Sequence, residues 1–181
     1  PESLKEEFQY KQGQHLNLKK DINGEDIRRS YSLCTSPIEN KWQVAIKKIK
    51  GVVFSTYANE ELKAGDVLEV SAPDGKFCVE VDATKPKHYI VFAAGSGITP
   101  ILSIIKTHLS LEPEATVQLF YLNRKVKSII FKDEIEGLKN RYLGRFEVFY
   151  FLTRENRGIP LLHGRFTSEK LQNLTKKIKR I

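Results

Sequence analysis

Methionine is absent from the sequence, cysteine occurs only at Cys34 and Cys78, and tryptophan only at Trp42. Two thiols cannot ligate a four-thiolate iron-sulfur cluster or a zinc ribbon, so neither is expected within this segment. Two small apolar side chains in a reducing cytosol are the preferred reading of the pair, with a single disulfide as the alternative. No apolar run approaches the roughly 20 residues that span a bilayer, so membrane insertion is not expected and the chain reads as cytoplasmic. Its first ten residues, PESLKEEFQY, lack the basic n-region and apolar stretch of a signal peptide. His15, His88, His108 and His163 have no paired spacing for a metal site, and no Ser/His/Asp arrangement stands out. With no initiator Met, the chain reads as a fragment.

Positive charge is plentiful: 30 Lys and Arg stand against 22 Asp and Glu, for a net charge of +8. Such a charge attracts polyanions, but the basic residues are spread along the chain. The one dense run, Lys176-Lys177-Ile178-Lys179-Arg180, reads as the solvated face of a helix end. Nucleotides or acidic protein partners account for the remainder, and no nucleic-acid ligand is expected.

The pattern changes character near Asp82-Ala83-Thr84-Lys85-Pro86-Lys87. Before it, short alternating segments such as Trp42 to Ile46 and Val67 to Val70 are separated by Gly, Pro, Asn and Asp turns, an all-β signature. After it, strands and helices take turns. Residues 89–93 form a continuous apolar run of buried-strand length, and Ile98, Ile101, Leu102, Ile105 and Leu109 follow with amphipathic helical spacing. Strands are expected over 117–122 and 146–152, and helices over 131–143 and 167–178. The order βαβαβα implies a parallel sheet. Two domains follow: an antiparallel β domain over residues 1–83 and an α/β domain over 86–181. Three strands are few for a doubly wound sheet, so the α/β domain reads as incomplete at its C-terminus. Trp42 and the Phe residues of 131–166 read as packing.

The sharpest local feature of the second half is Gly95-Ser96-Gly97-Ile98-Thr99-Pro100, between a buried strand and a helix. A pyrophosphate needs backbone N–H groups brought close with no Cβ in the way, and a helix N-terminus supplies donors and the positive end of a dipole. Thr99 or Ser96 is a candidate cap, and Pro100 suits the first turn. Taken alone, the loop is better explained by an ordinary tight βα turn, and it is not a G-x-G-x-x-G fingerprint.

A second motif lies in the first half: Arg29-Ser30-Tyr31-Ser32-Leu33-Cys34-Thr35-Ser36-Pro37. On a strand, Arg29 and Tyr31 share one side while Ser30 and Ser32 share the other. Arg can clamp a pyrophosphate, a Tyr ring can stack on a planar heterocycle, and a Ser hydroxyl can reach a ring nitrogen. These residues resemble the R-x-Y-S motif of the ferredoxin-NADP reductase family, and Gly95 to Pro100 resembles that family's G-S-G-I-T-P nucleotide loop. The resemblance extends over almost the whole chain. Gln12-Gly13-Gln14-His15-Leu16 is similar to the family's P-G-Q strand with Gln12 in place of Pro, and Gly51 to Tyr57, Leu62 to Asp66 and Ala72 to Phe77 are similar to the stretch that closes the barrel and carries FAD phosphate contacts. Among subfamilies the chain is most similar to reductase components of phenylacetyl-CoA oxygenases, in which FAD and NADP modules are joined to a plant-type ferredoxin domain.

The resemblance implies an antiparallel FAD-binding β-barrel followed by a Rossmann-like parallel α/β NADP-binding domain, with the chain truncated at both ends. Arg29, Tyr31 and Ser32 would hold FAD, with Ser32 near its reactive edge. Ile46 and Lys47 would approach the ribityl-phosphate chain, and Phe54, Ser55 and Thr56 the pyrophosphate; Val52 stands where relatives often have Gly. For NADPH, the matching positions are Gly95, Ser96, Gly97, Ile98 and Thr99 at the pyrophosphate and nicotinamide. Asn123, Arg124, Thr153 and Arg154 match at the adenosine end. The strand ending at Leu122 is followed by Asn123, Arg124 and Lys125, with no carboxylate for a ribose 2′-hydroxyl, which favours NADPH over NADH. Lys125 reads as surface charge, and Arg165 is divided between a structural role and the nucleotide.

The implied activity is hydride transfer from NADPH to FAD, with Ser32 and Thr99 shaping the meeting point by contact and hydrogen bonding. Electrons would then pass singly to a [2Fe-2S] ferredoxin-type domain or partner, feeding an oxygenase such as phenylacetyl-CoA oxygenase. The family's C-G-P-type segment and first barrel strand are not found in the sequence. A catalytically silent nucleotide-binding module and a haem acceptor remain as alternatives.

Overall fold

A computed structural model describes residues 4, 6–156 and 158–178. The first half is built on a hairpin. Strands β1 (His15–Ile22) and β2 (Glu25–Ser32) pair antiparallel from His15↔Ser32 to Ile22↔Glu25. The turn is Asn23-Gly24, both at positive φ (56° and 82°), the conformation that matches the twist of a tight hairpin. Alternation places Leu16, Leu18 and Ile22 in the core, while Ser30 and Asn17 face the other side and hydrogen bond at 2.5 Å.

Helix α1 (Val53–Glu60) follows Gly51 and closes this core. Phe54 is fully buried among Tyr10, Leu16, Leu18, Ile22 and Leu33, so its truncation to Ala would cost about 3–5 kcal/mol. The sequence pattern gives no sign of this helix. Strand β3 (Glu69–Val70) completes a sheet of order β2-β1-β3. It is all that forms of the strand expected over 67–70. The segment 42–46 is likewise reduced to one bridge, Leu33↔Val44. Its carbonyls are satisfied by the facing loop, Gln43 O by Cys34 N and Lys41 O by Thr35 Oγ1. Trp42 is 47% exposed and packs against Phe8 and Tyr10, with ring centroids 5.2 and 6.5 Å apart. Cys34 and Cys78 form no disulfide.

The second half alternates as expected. Strand β4 (His88–Ala94) leads through the turn Gly95–Gly97 into helix α2 (Ile98–Leu111). Strand β5 (Thr116–Asn123), helix α3 (Lys132–Arg141), strand β6 (Phe146–Leu152) and helix α4 (Ser168–Ile178) follow. The strands are parallel in the order β4-β5-β6. Phe92, Phe120 and Phe149 stand in register across the three strands, and successive rings stack at 5.1 and 5.0 Å. Such cross-strand aromatic pairs are the unit of sheet stabilisation. The architecture is thus an antiparallel β unit followed by a parallel α/β unit. The side chains of the basic run Lys176-Lys177-Ile178-Lys179-Arg180 lie outside the described residues.

Two compact units result, and they are not consecutive in the chain. One contains the residues up to Lys87 together with Ser96–Ala115, and the other contains His88–Gly95 with everything from Thr116 onward. Helix α2 therefore belongs with the β unit. Its apolar spacing suggests an amphipathic helix with a solvated face, yet every residue from Ile98 to Leu109 except Pro100 is buried. The polar residues Ser103, Lys106, Thr107 and His108 are covered because the β unit supplies partners for them.

Candidate functional site

In the β unit, strand β2 carries Arg29, Tyr31 and Ser32. Tyr31 stands opposite Leu16 and Arg29 opposite Leu18, so both start from the face that bears the core. Tyr31 is half-buried, its ring tilted against Phe54 at 5.8 Å, and burial holds its phenol above the ordinary value. Arg29 is exposed and donates to the carbonyl of Arg28 at 2.7 Å. Ile46 packs against the same core cluster, and Lys47 beside it is exposed. Tyr31, Ile46 and Phe54 are thereby brought together.

Helix α1 begins at Val53, after Gly51 at φ 79°, and no side chain caps it. The first N–H groups of a helix have no earlier carbonyl to bond, so an uncapped N-terminus is a ready anion site. The hydroxyls of Ser55 and Thr56 are already engaged: Ser55 Oγ bonds Ile49 N at 3.1 Å, and Thr56 Oγ1 bonds Val52 O at 3.0 Å. Their side chains rigidify the turn, which leaves main-chain N–H groups as the donors. A Cβ added at Gly51 would meet nothing within 4 Å. These features fit FAD: an exposed guanidinium, a half-exposed aromatic ring and an uncapped helix end share one unit.

The glycine turn has the same character. Gly97 is the N-cap of α2 with no side-chain cap bond, so neither Ser96 nor Thr99 fills that role. Thr99 Oγ1 instead donates to Ser96 O at 3.0 Å, which ties the turn to the first residues of the helix. Gly95 has φ 51°, in the region where glycine is favoured. A Cβ at Gly95 or Gly97 would project into open space, with nothing within 4 Å. That is the space a diphosphate needs, so the turn fits a pyridine nucleotide.

In the α/β unit, Asn123 closes β5 and Arg124 follows it. Thr153 and Arg154 occupy the equivalent place after β6. Two main-chain bonds join the pairs, Thr153 N to Asn123 O and Arg154 N to Arg124 O, each 2.9 Å. Both arginines are exposed at the carboxyl ends of parallel strands, where open α/β sheets bind ligands. Asn123 is 6% exposed, and its side chain hydrogen bonds to the Tyr121 hydroxyl. Gly95 also belongs to this unit, and the fully buried Tyr121 donates to its carbonyl at 2.9 Å. Sequence reasoning does not single out Tyr121, because one aromatic in a buried strand looks like any other. Arg165 is exposed.

Comparison with known proteins agrees with this geometry. Residues 2–79 match the oxidoreductase FAD-binding domain and residues 91–180 the oxidoreductase NAD-binding domain. The chain belongs to the ferredoxin-NADP reductase family. Its two modules are those of NAD(P)H-dependent flavin oxidoreductases. It is 42% identical over 174 residues to one of the subunits of 1,2-phenylacetyl-CoA epoxidase from Escherichia coli, covering 96% of this chain and 49% of that protein. It is 34% identical over 163 residues to the ferredoxin reductase component of 3-ketosteroid-9-alpha-monooxygenase from Rhodococcus rhodochrous, covering 88% and 45%. The chain thus spans about half the length of these relatives. In fold it is similar to a ferredoxin NADP+ reductase from Neisseria gonorrhoeae solved with bound FAD and NADP, with a TM-score of 0.74, 22% identity and coverage of 95% and 68%. Among the described residues, no helix is long and apolar enough to cross a membrane.

Proposed function

We propose that this chain is the electron-entry portion of a reductase that takes hydride from NADPH to FAD and delivers electrons singly to an iron-sulfur acceptor. The observation that carries the reading is the pair of uncapped helix starts in one unit, α1 behind Gly51 and α2 behind Gly97. Each is open to a phosphate, and each is accompanied by a motif of the family. Residues 1–83 are assigned to flavin binding and 86–181 to nucleotide binding.

In this reading Arg29 offers a guanidinium to the flavin diphosphate, Tyr31 a ring face, and Ser32 a hydroxyl near the reactive edge. Ile46 and Lys47 border the ribityl chain. Phe54, Ser55 and Thr56 contribute the first turn of α1. Gly95, Ser96, Gly97, Ile98 and Thr99 hold the nucleotide diphosphate, while Asn123, Arg124, Thr153 and Arg154 take its adenosine end. The exposed Arg124 and Arg154 favour a 2′-phosphate, and hence NADPH over NADH. Bound FAD would supply a two-electron acceptor able to release electrons one at a time. The protein's part is to bind, to orient and to exclude water.

The acceptor is a [2Fe-2S] ferredoxin-type domain or partner, within an oxygenase system such as that of phenylacetyl-CoA. The two relatives named above, one from an epoxidase and the other a monooxygenase component, support this assignment. The two cysteines that form no disulfide, and the expected partners, support a cytoplasmic location. Anaerobic mixing of the flavin-loaded protein with NADPH, then with a plant-type ferredoxin, tests the scheme. Bleaching of the flavin followed by reduction of the ferredoxin is the expected order. Bleaching with no onward transfer to any iron-sulfur acceptor would exclude the proposed partner.

A further inference from the structure

Helix α2 starts at the nucleotide turn, and its next two turns are bonded to the chain that continues directly from the flavin motif. Ser103 Oγ donates to Thr35 O at 2.5 Å, and Ser36 Oγ lies 2.7 Å from Thr107 Oγ1. Donor roles can be assigned by counting protons. Thr107 Oγ1 donates to Ser103 O at 2.7 Å, so its one proton is used and Ser36 must donate to it. Thr35 Oγ1 donates to Lys41 O at 2.7 Å, and Tyr10 Oη has Thr35 Oγ1, Thr35 O and Lys41 O as acceptors at 2.9, 3.1 and 3.2 Å. Ser36 is also held from its main chain, its N–H donating to Glu39 Oε2 at 3.1 Å, while Glu39 Oε1 pairs with Lys106 Nζ of α2 at 3.4 Å.

The seam is dry. Thr35, Ser36, Ser103 and Thr107 are each between 0% and 2% exposed. Four buried hydroxyl groups with every proton placed specify one arrangement, because sliding or turning the helix would orphan a donor in a site closed to solvent. An apolar contact of the same area would tolerate such slippage. At the C-cap of α2, Glu112 is a buried anchor, bonded to His108 Nδ1 at 3.0 Å, Lys87 Nζ at 2.9 Å and the main-chain N–H of Asp82 at 2.8 Å.

We propose that Ser103 and Thr107, through Thr35 and Ser36, are positioning residues that fix the nucleotide turn relative to the flavin strand and so set the geometry of hydride transfer. The inference rests on the reading of the protein as a flavin reductase. Reaction rate is steep in the separation of reacting atoms, and a displacement of about 1 Å can cost on the order of 100-fold. A seam one and two turns from the reacting end is placed to hold that separation.

The test uses Thr107→Val, which keeps shape and removes the acceptor of Ser36, with Thr107→Ser as the variant that restores it. The full-length protein, loaded with FAD, is mixed anaerobically with saturating NADPH and with its deuterated form. The expected result for Thr107→Val is a roughly tenfold slower flavin reduction at saturation and a changed temperature dependence of the isotope effect. Flavin content and affinity for 2′,5′-ADP should stay within twofold of the parent. Thr107→Ser should recover the parent rate. Amide exchange without nucleotide gives a second readout: Thr107→Val should speed exchange over residues 96–102 and leave β1 and β2 unchanged. If Thr107→Val lowers only the melting temperature, with parent rate and isotope effect, the positioning role is refuted. Should Thr107→Val fail to fold, Ser36→Ala removes the same bond from the other side and is read identically. A parent protein that takes up no flavin would refute the reductase reading itself, a failure visible before any variant is made.

Discussion

The hydroxyl of Tyr121, on the second strand of the parallel sheet, donates to the carbonyl of Gly95 at 2.9 Å. Gly95 has φ 51°, so its peptide is held in a conformation that has few alternatives once that carbonyl is bonded. Tyr121→Phe removes the bond and keeps the ring. The predicted effect is a loss of about 1 kcal/mol in nucleotide binding, roughly a fivefold weaker Kd for 2′,5′-ADP by titration calorimetry, with flavin affinity unchanged. Equal weakening of both ligands would show a general loss of structure instead.

The same tyrosine predicts an alkaline limit to stability. Burial pushes the Tyr121 phenol up to about 12 from an ordinary value of 10.0, and burial also raises Tyr150. A group whose folded value is raised gives stability that is complete below the unfolded value and is lost as pH rises through the folded one. The midpoint of urea unfolding should therefore hold steady up to about pH 10 and fall between about pH 10 and 12. Tyr121→Phe should flatten part of that fall.

Two glycines separate a fold requirement from a ligand requirement. An added Cβ at Gly13 would lie 1.9 Å from the carbonyl oxygen of Phe77, and Gly13 has φ 90°. Gly13→Ala is predicted to destabilise by roughly 3 kcal/mol or more. Gly97 has φ −62° and open space beyond it. Gly97→Ala should therefore change stability by about 0.5 kcal/mol or less and weaken nucleotide binding at least roughly tenfold. Thermal unfolding measured beside nucleotide titration checks both.

Much of this is legible in the sequence, and the failures have physical causes. The apolar run of β4 and the glycine turn announce themselves because local conformation decides them. Strand β6 falls on the residues expected, and the two helices that follow β5 and β6 start within one residue of expectation. Helix α1 escapes a sequence reading because Val53, Phe54, Thr56 and Tyr57 are strand-favouring types that tertiary packing of Phe54 overrides. Strands 42–46 and 67–70 are overestimated, since alternation says which face is buried and not whether a ladder partner exists. The burial of α2 on all sides is hidden by its amphipathic spacing. Its signal is present nonetheless in Ser103, Lys106, Thr107 and His108, polar residues clustered within two turns on a helix otherwise rich in Ile and Leu.

Nucleotide preference is the part of the site most dependent on charge. Arg124 and Arg154 follow the ends of adjacent parallel strands and are exposed. Losing one charge-assisted contact to a 2′-phosphate costs about 1.5–3 kcal/mol. Arg124→Ala and Arg154→Ala are each predicted to raise KM for NADPH at least roughly tenfold while leaving KM for NADH within about twofold. A parallel rise for both nucleotides would place these arginines away from the 2′-phosphate.

The most direct measurement is an absorption spectrum of the full-length protein, followed by anaerobic addition of NADPH or NADH in separate cuvettes. The account predicts an oxidised flavin spectrum that bleaches with NADPH, and more slowly or less completely with NADH. A colourless protein that takes up no added FAD would contradict it, and leave a silent nucleotide-binding module as the reading of the fold.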